Sequence, residues 1–282
     1  MPSLSTICIR QKSGFTLIEL SAVLVIIGLL IGGIMAGQTL VRQSQISSVA
    51  TDAQMYMRAV LQFRDKYVAL PGDMGNATTY WGVIPGSSAA DNYTLSCATL
   101  QGTGTQTCNG DNNGQINETS ATSYYYEMHR AWQHLANAQM IQGSYTGVTA
   151  TGGTENDALG VNVPASHVPG AGFKFDWVGV RSGDSNWFNY SYKHALFFGS
   201  LMAYNMNGYT GNITTGPTLT GAEALAFDTK YDDGLAVSGQ IMAWPNGSAY
   251  NSNCTTTAVI TTAIYNQTTK GLICGLFFNA NF

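Results

Sequence analysis

From Ser21 to Val41 the chain runs without a charged side chain. As one helix, a run of that length spans the ~30 Å hydrocarbon core of a bilayer. Arg10 and Lys12 stand just before it. The positive-inside bias then keeps the first residues in the cytoplasm and places everything after Val41 outside. One carboxylate, Glu19, is carried into the apolar region, where an ionised acid costs about 2.5–3.5 kcal/mol. Either it lies at headgroup level and stays solvated, or it has a partner. An ordinary secretory signal has a shorter apolar core with a small-residue cleavage site behind it. Here Ser13 and Gly14 come before the run, so the helix is expected to be kept.

The segment Lys12-Ser13-Gly14-Phe15-Thr16-Leu17-Ile18-Glu19-Leu20 resembles the processing site of type IV pilins and type II secretion pseudopilins. The resemblance implies that a prepilin peptidase cuts between Gly14 and Phe15 on the cytoplasmic side and N-methylates Phe15. Residues 1–14 are then a leader, 15–41 the membrane-spanning or filament-core half of an N-terminal helix, 42–70 its amphipathic half, and 71–282 a globular head. That head stands in the periplasm or in an extracellular filament, behind a single pass of the bacterial inner membrane. Glu19, fifth in the mature chain, accepts the amino terminus of a neighbouring subunit during filament assembly, so two charges that are each costly in lipid neutralise one another. The implied fold is α+β and pilin-like: a long N-terminal helix packed on an antiparallel β-sheet with long Gly-rich loops. Many pilins carry a proline where Ala36 stands in this chain, which leaves the site of any kink open.

Removing the leader leaves 10 basic against 16 acidic residues, a formal charge of −6, which argues against a nucleic-acid surface. Cys8 falls in the leader. The other four cysteines face an oxidising compartment, and their order suggests the bridges Cys97–Cys108 and Cys254–Cys274. Free buried thiols are the alternative. No CxxC pair or clustered His points to a metal site at these cysteines.

After the apolar run, Ile46, Val49, Ala50, Ala53, Met57, Val60, Leu61 and Tyr67 recur at steps of three and four, the stripe of an amphipathic helix. Leu70-Pro71-Gly72 ends it. Gly28, Gly32, Gly33 and Gly37 weaken the rod and predict local melting or close helix packing on assembly. Residues 71–120 read as a turn-rich connection. Tyr124 to Ile141 reads as a second helix, with Tyr125, Met128, Trp132, Leu135, Ala136 and Met140 on one face and His129 and His134 on its polar, surface side. Strands are expected at Phe173–Val180 and Asn189–Phe198 as a hairpin, then at Ala236–Trp244, Ala258–Tyr265 and Gly271–Phe278. Leu196–Met206 fits strand or helix. Thr220-Gly221-Ala222-Glu223 is a capping box opening a helix through about Lys230, closed by Gly234. Leu70–Met74, Trp132–Asn137 and Asp228–Gly234 resemble segments that recur in large pilin-like proteins.

Two stretches are candidate calcium sites, a cofactor that the resemblance allows. Asp228, Asp232 and Asp233 sit at a helix C-terminus, where acids face the negative end of the macrodipole and invite a cation. Alternatively, Lys230 and solvent satisfy them. Asn109, Asp111, Asn113, Gly114, Gln115 and Ile116 have the oxygen spacing and glycine of an EF-hand-like loop, with Ser120 in place of the closing acid and Glu118 near. A polar turn is the other reading. No HExxH, GxSxG, Walker loop or dinucleotide fingerprint occurs, so an enzyme is not expected. Trp177, Trp187, Tyr190 and Tyr192 offer glycan or subunit contacts, or simply pack. The expectation is a minor or large structural subunit of a type IV pilus or type II secretion pseudopilus. Its partners are prepilin peptidase, other pilin or pseudopilin subunits and the assembly platform with its ATPase. The rival is a pilin-anchored surface binding module, an adhesin or a DNA-uptake tip.

Overall fold

The computed structural model describes residues 14, 16–87, 97, 100–117, 127–149, 156–206, 209–251, 253–280 and 282. Residues 1–13, Phe15, Glu118, Ser120, Tyr124 and Tyr125 lie outside them. The chain divides into two units, residues 1–44 and 45–282, and helix α1 (Leu17–Tyr67) belongs in part to each.

In the first unit the apolar side chains of α1 are bare: Leu17 is 88% exposed and Leu29 72%. A helix that shows apolar residues on every side is at home in lipid or in a helix bundle rather than in water. Its glycines meet nothing within 4 Å, and the helix is assigned without a break through them.

In the second unit α1 buries Ile46, Val49, Ala50, Ala53, Tyr56, Ala59, Val60 and Phe63. The expected stripe is correct in phase, but its centre runs through Tyr56 and Phe63, and Met57, Leu61 and Tyr67 are only half-buried. The helix stops at Tyr67, three residues before the expected 70, because Val68 turns into the left-handed region (φ 56°). Gly72 follows at φ 87°, where a Cβ would collide with the Glu127 carbonyl oxygen. A short helix α2 (Ala77–Trp81) follows.

Helix α3 (Glu127–Asn137) is buried along its whole length from Glu127 to Leu135. His129 and His134 were expected at the surface, and both are fully enclosed. The periodic apolar face is real, with Trp132 against Tyr56 and Phe175. The polar face is covered as well, by loops that supply hydrogen bonds. His134 Nδ1 accepts from Gly72 N–H (2.9 Å) and Nε2 meets Thr107 Oγ1 (3.0 Å). His129 Nε2 pairs with Asp157 (2.9 Å).

The sheet comprises β1 (Ala171–Trp177), β4 (His194–Met206), β5 (Tyr209–Gly216), β6 (Ile241–Ala243) and β7 (Leu276–Ala280), with β2 (Val180–Arg181) and β3 (Tyr190–Ser191) as a separate ribbon. The order is β1-β4-β7-β6, all antiparallel, with β5 paired to β4. Leu196–Met206 is therefore strand. The hairpin expected from Phe173–Val180 and Asn189–Phe198 exists as β1 on β4, with Phe173 opposite Phe198. Ala258–Tyr265 is no strand: it makes one isolated bridge, Thr255 to Tyr265.

Strand alternation sends side chains to two buried faces. Phe173, Phe175, Leu196, Phe198, Leu276 and Phe278 join the core shared with α1, α3 and α4 (Gly221–Tyr231). Phe197, Phe277, Met242, Trp244, Trp187 and Tyr192 build a second core on the other face. Trp187 and Tyr192 thus pack, whereas Tyr190 is 37% exposed.

Candidate functional site

The N-terminal site centres on Thr16, just before α1, and Glu19 in its first turn. Thr16 N–H and Thr16 Oγ1 both donate to Glu19 Oε2 (2.9 and 2.8 Å), and Glu19 N–H donates back to Thr16 Oγ1 (3.2 Å). This reciprocal pattern is a capping box: it satisfies amide groups that a helix start otherwise leaves open. Glu19 is solvent-exposed and has no cation beside it among the described residues of its unit. Gly14 is exposed, with open space around it. The sequence pattern named Gly14, Phe15 and Glu19, of which Phe15 lies outside the described residues. It did not reveal that Thr16 holds the Glu19 carboxylate, although a Thr three residues before a Glu ahead of an apolar run is the signal for it.

Both expected disulfides are present, Cys97–Cys108 and Cys254–Cys274. The first closes a loop that α3 holds from inside: Arg130, buried, donates to the Cys97 and Leu100 carbonyls and to Gln133. Burial lowers its guanidinium to about 9. Gln133 Oε1 also accepts from Thr107, which contacts His134. A chain of polar contacts thus runs from the disulfide loop to Gly72.

Asp228, Asp232 and Asp233 do converge, each offering a carboxylate oxygen within 4.8 Å of the others. Protein donors already use them. Asp228 accepts from Tyr265 Oη (2.8 Å) and Gly234 N–H, Asp232 from the Gln240 and Ile241 amides, and Asp233 from Leu235 N–H and Ser238 Oγ. Lys230, named for this task by the sequence, instead reaches Ser47 and the Tyr231 ring. Burial raises Asp228 to about 7.

A second acidic group was only half legible. Asp111 belongs to the EF-hand-like loop, but its neighbours are Asp73 and Glu127, again within 4.8 Å, from the turn after α1 and the start of α3. Asp73 accepts from the Asn113 and Gly114 amides, and Glu127 from those of Asp111 and Asn117. Burial, reinforced by Asp111, pushes Asp73 up to about 7, and burial pushes Glu127 to about 8. Asp73 and Glu127 thus bring two further carboxylates beside the loop that carries Asp111.

Among the described residues, one helix, α1, is long and apolar enough to cross a membrane. A family model described as the prokaryotic N-terminal methylation motif matches residues 9–35. No curated protein and no solved structure matches the chain.

Proposed function

From a chain that carries a prepilin-type N-terminal methylation motif ahead of a pilin-like α+β fold, we propose a structural subunit of a type IV pilus or type II secretion pseudopilus, minor or large within its filament. Prepilin peptidase cuts after Gly14 and methylates Phe15. The subunit crosses the inner membrane once, with residues 42–282 outside. An assembly platform and ATPase then draw it into a polymer with other pilin or pseudopilin subunits. Its work is mechanical rather than catalytic. Calcium at Asp228, Asp232 and Asp233 belongs to the same reading, supported by the convergence of the three carboxylates.

The observation that carries the proposal is the motif matched at residues 9–35 leading directly into an exposed apolar helix. An exposed run of this kind is stable only in lipid or against other helices. Mass spectrometry of the N-terminal peptide, from hosts with and without the peptidase, tests it. A methylated Phe15 terminus that vanishes without the enzyme is expected. An intact leader in both hosts, or a cut beyond Val41, would overturn the reading.

A further inference from the structure

We infer that the open depression where α1 ends is a binding site for a neutral saccharide. It has a volume of about 490 Å³ and is lined by Tyr67, Val68, Asn76, Asp111 and Asn112, among others. That volume falls in the ~300–1,000 Å³ range of small-molecule sites. The inference does not depend on the filament reading.

Asn76 gives the first indication. It occupies the N-cap position of α2, where an Asn side chain normally accepts an amide of the first turn, yet it makes no cap bond. Asn109 Oδ1 has taken that role, accepting from Thr78 N–H at 2.9 Å. The exposed Asn76 side chain lines the depression with no hydrogen bond to protein among the described residues. Asn112, also exposed and lining it, sits in the left-handed region (φ 59°), held there by its own N–H on the Asp73 carbonyl (2.9 Å). Its side chain likewise has no hydrogen-bond partner among the described residues. Two free amides provide donors and acceptors together, and Asp111, anchored by Asn113 at 2.8 and 3.0 Å, adds acceptor capacity.

The apolar side of such a ligand is also provided for. Tyr67 borders the depression, and its ring meets Tyr80 at 5.2 Å and Trp81 at 5.5 Å, both edge-on. Tyr80 is 56% exposed. An aromatic face beside amide and carboxylate groups suits a ring with C–H groups on one side and hydroxyls around its rim. No cationic side chain is among the lining residues, and Lys66 Nζ lies over the Tyr67 ring at 5.0 Å. Val68 marks the same spot: a β-branched residue held at φ 56° is backbone strain, which gathers at ligand sites.

The test is saturation-transfer NMR on the full chain in a detergent without a sugar headgroup. The probes are methyl α-mannoside, methyl β-galactoside and N-acetylglucosamine at millimolar concentration. At least one should receive transfer. Asn112→Gly, which keeps the left-handed backbone but removes the amide, and Asn76→Ala, at a side chain that makes no cap bond, should each weaken it at least tenfold, while Tyr190→Ala on the separate β2–β3 ribbon leaves it unchanged. Circular dichroism melts of the variants matching the parent's would assign the loss to the site rather than to folding. No transfer from any of the three sugars, or transfer that survives both site variants, would overturn the inference.

Discussion

Thr16 and Glu19 hold each other: the threonine gives two hydrogen bonds to one carboxylate oxygen and takes one from the glutamate's amide. Before any partner arrives, the acid that the filament reading assigns to a neighbour's amino terminus is already engaged within its own helix. Replacing it therefore removes two functions at once. Glu19→Ala is expected to be cleaved and methylated like the parent but to be missing from sheared filaments. Thr16→Ala removes the hydroxyl's two bonds, leaves the backbone one to Glu19, and should cost the helix start about 1 kcal/mol, visible as earlier fraying in amide hydrogen exchange. Full incorporation of Glu19→Ala into filaments would remove the assembly role.

Val68 occupies a helix-ending position that normally favours glycine. Its left-handed backbone, at φ 56° with the side chain 89% exposed, costs roughly 1–2 kcal/mol for an L residue. Val68→Gly should raise the stability of the head by about 1 kcal/mol, a rise of roughly 2–4 °C in Tm at this size. An unchanged Tm would mean that the strain is relieved elsewhere.

The buried ionisable groups set an unusual pH profile. Asp73 and Asp228 titrate near 7 and Glu127 near 8 in the folded chain, above ordinary carboxyl values. The folded state therefore binds more protons than the unfolded one from about pH 4 to 8, and stability falls as pH rises through that window. His134 and His194 are lowered by burial, to about 3 and 4. Their contribution is full above about 6.5 and is lost as pH falls toward those values. Tm should therefore be highest between about pH 4 and 6.5 and fall toward pH 8.5. Glu127→Gln should flatten the alkaline limb. A Tm that climbs from pH 6 to 8.5 would contradict the assignment.

Calcium should act on the same groups. A divalent ion favours ionised carboxylates, so millimolar calcium is expected to raise Tm more at pH 8 than at pH 5.5, and Asp232→Asn with Asp233→Asn should reduce the gain. No shift at either pH removes the calcium reading.

The disulfide Cys254–Cys274 spans 20 residues, and chain-entropy arguments give such a loop about 3 kcal/mol. A Cys254→Ser, Cys274→Ser variant should unfold at a correspondingly lower urea midpoint with the parent's slope.

What could be read ahead of the structure was what neighbours in sequence determine. The apolar run marks α1, Thr220 and Glu223 form the capping box that opens α4, and the phase of the Ile46 to Phe63 stripe follows from helical spacing. What escaped depends on distant partners. His129 and His134 look like surface residues because α3 is amphipathic, but Asp157, Thr107 and Gly72 come from three other segments to bury and satisfy them. Ala258–Tyr265 has strand-like composition, but no strand pairs with it along its length. At the N-terminal site the residue types were legible. The joining of Asp73 and Glu127 to Asp111 was not, since it needs the turn after α1 to meet α3.

The strand order β1-β4-β7-β6 places β7, the last strand, between β4 and β6. A ribosome delivers β4 some seventy residues before β7 (His194 opposite Ala280 in the finished sheet), so β4 must wait with one side unfilled. A nascent chain with α1 already made therefore cannot close its head early. A product truncated before Leu276 lacks the strand that joins β4 to β6, and Phe197 and Phe198 lose the backbone partners that Phe277 and Leu276 give them.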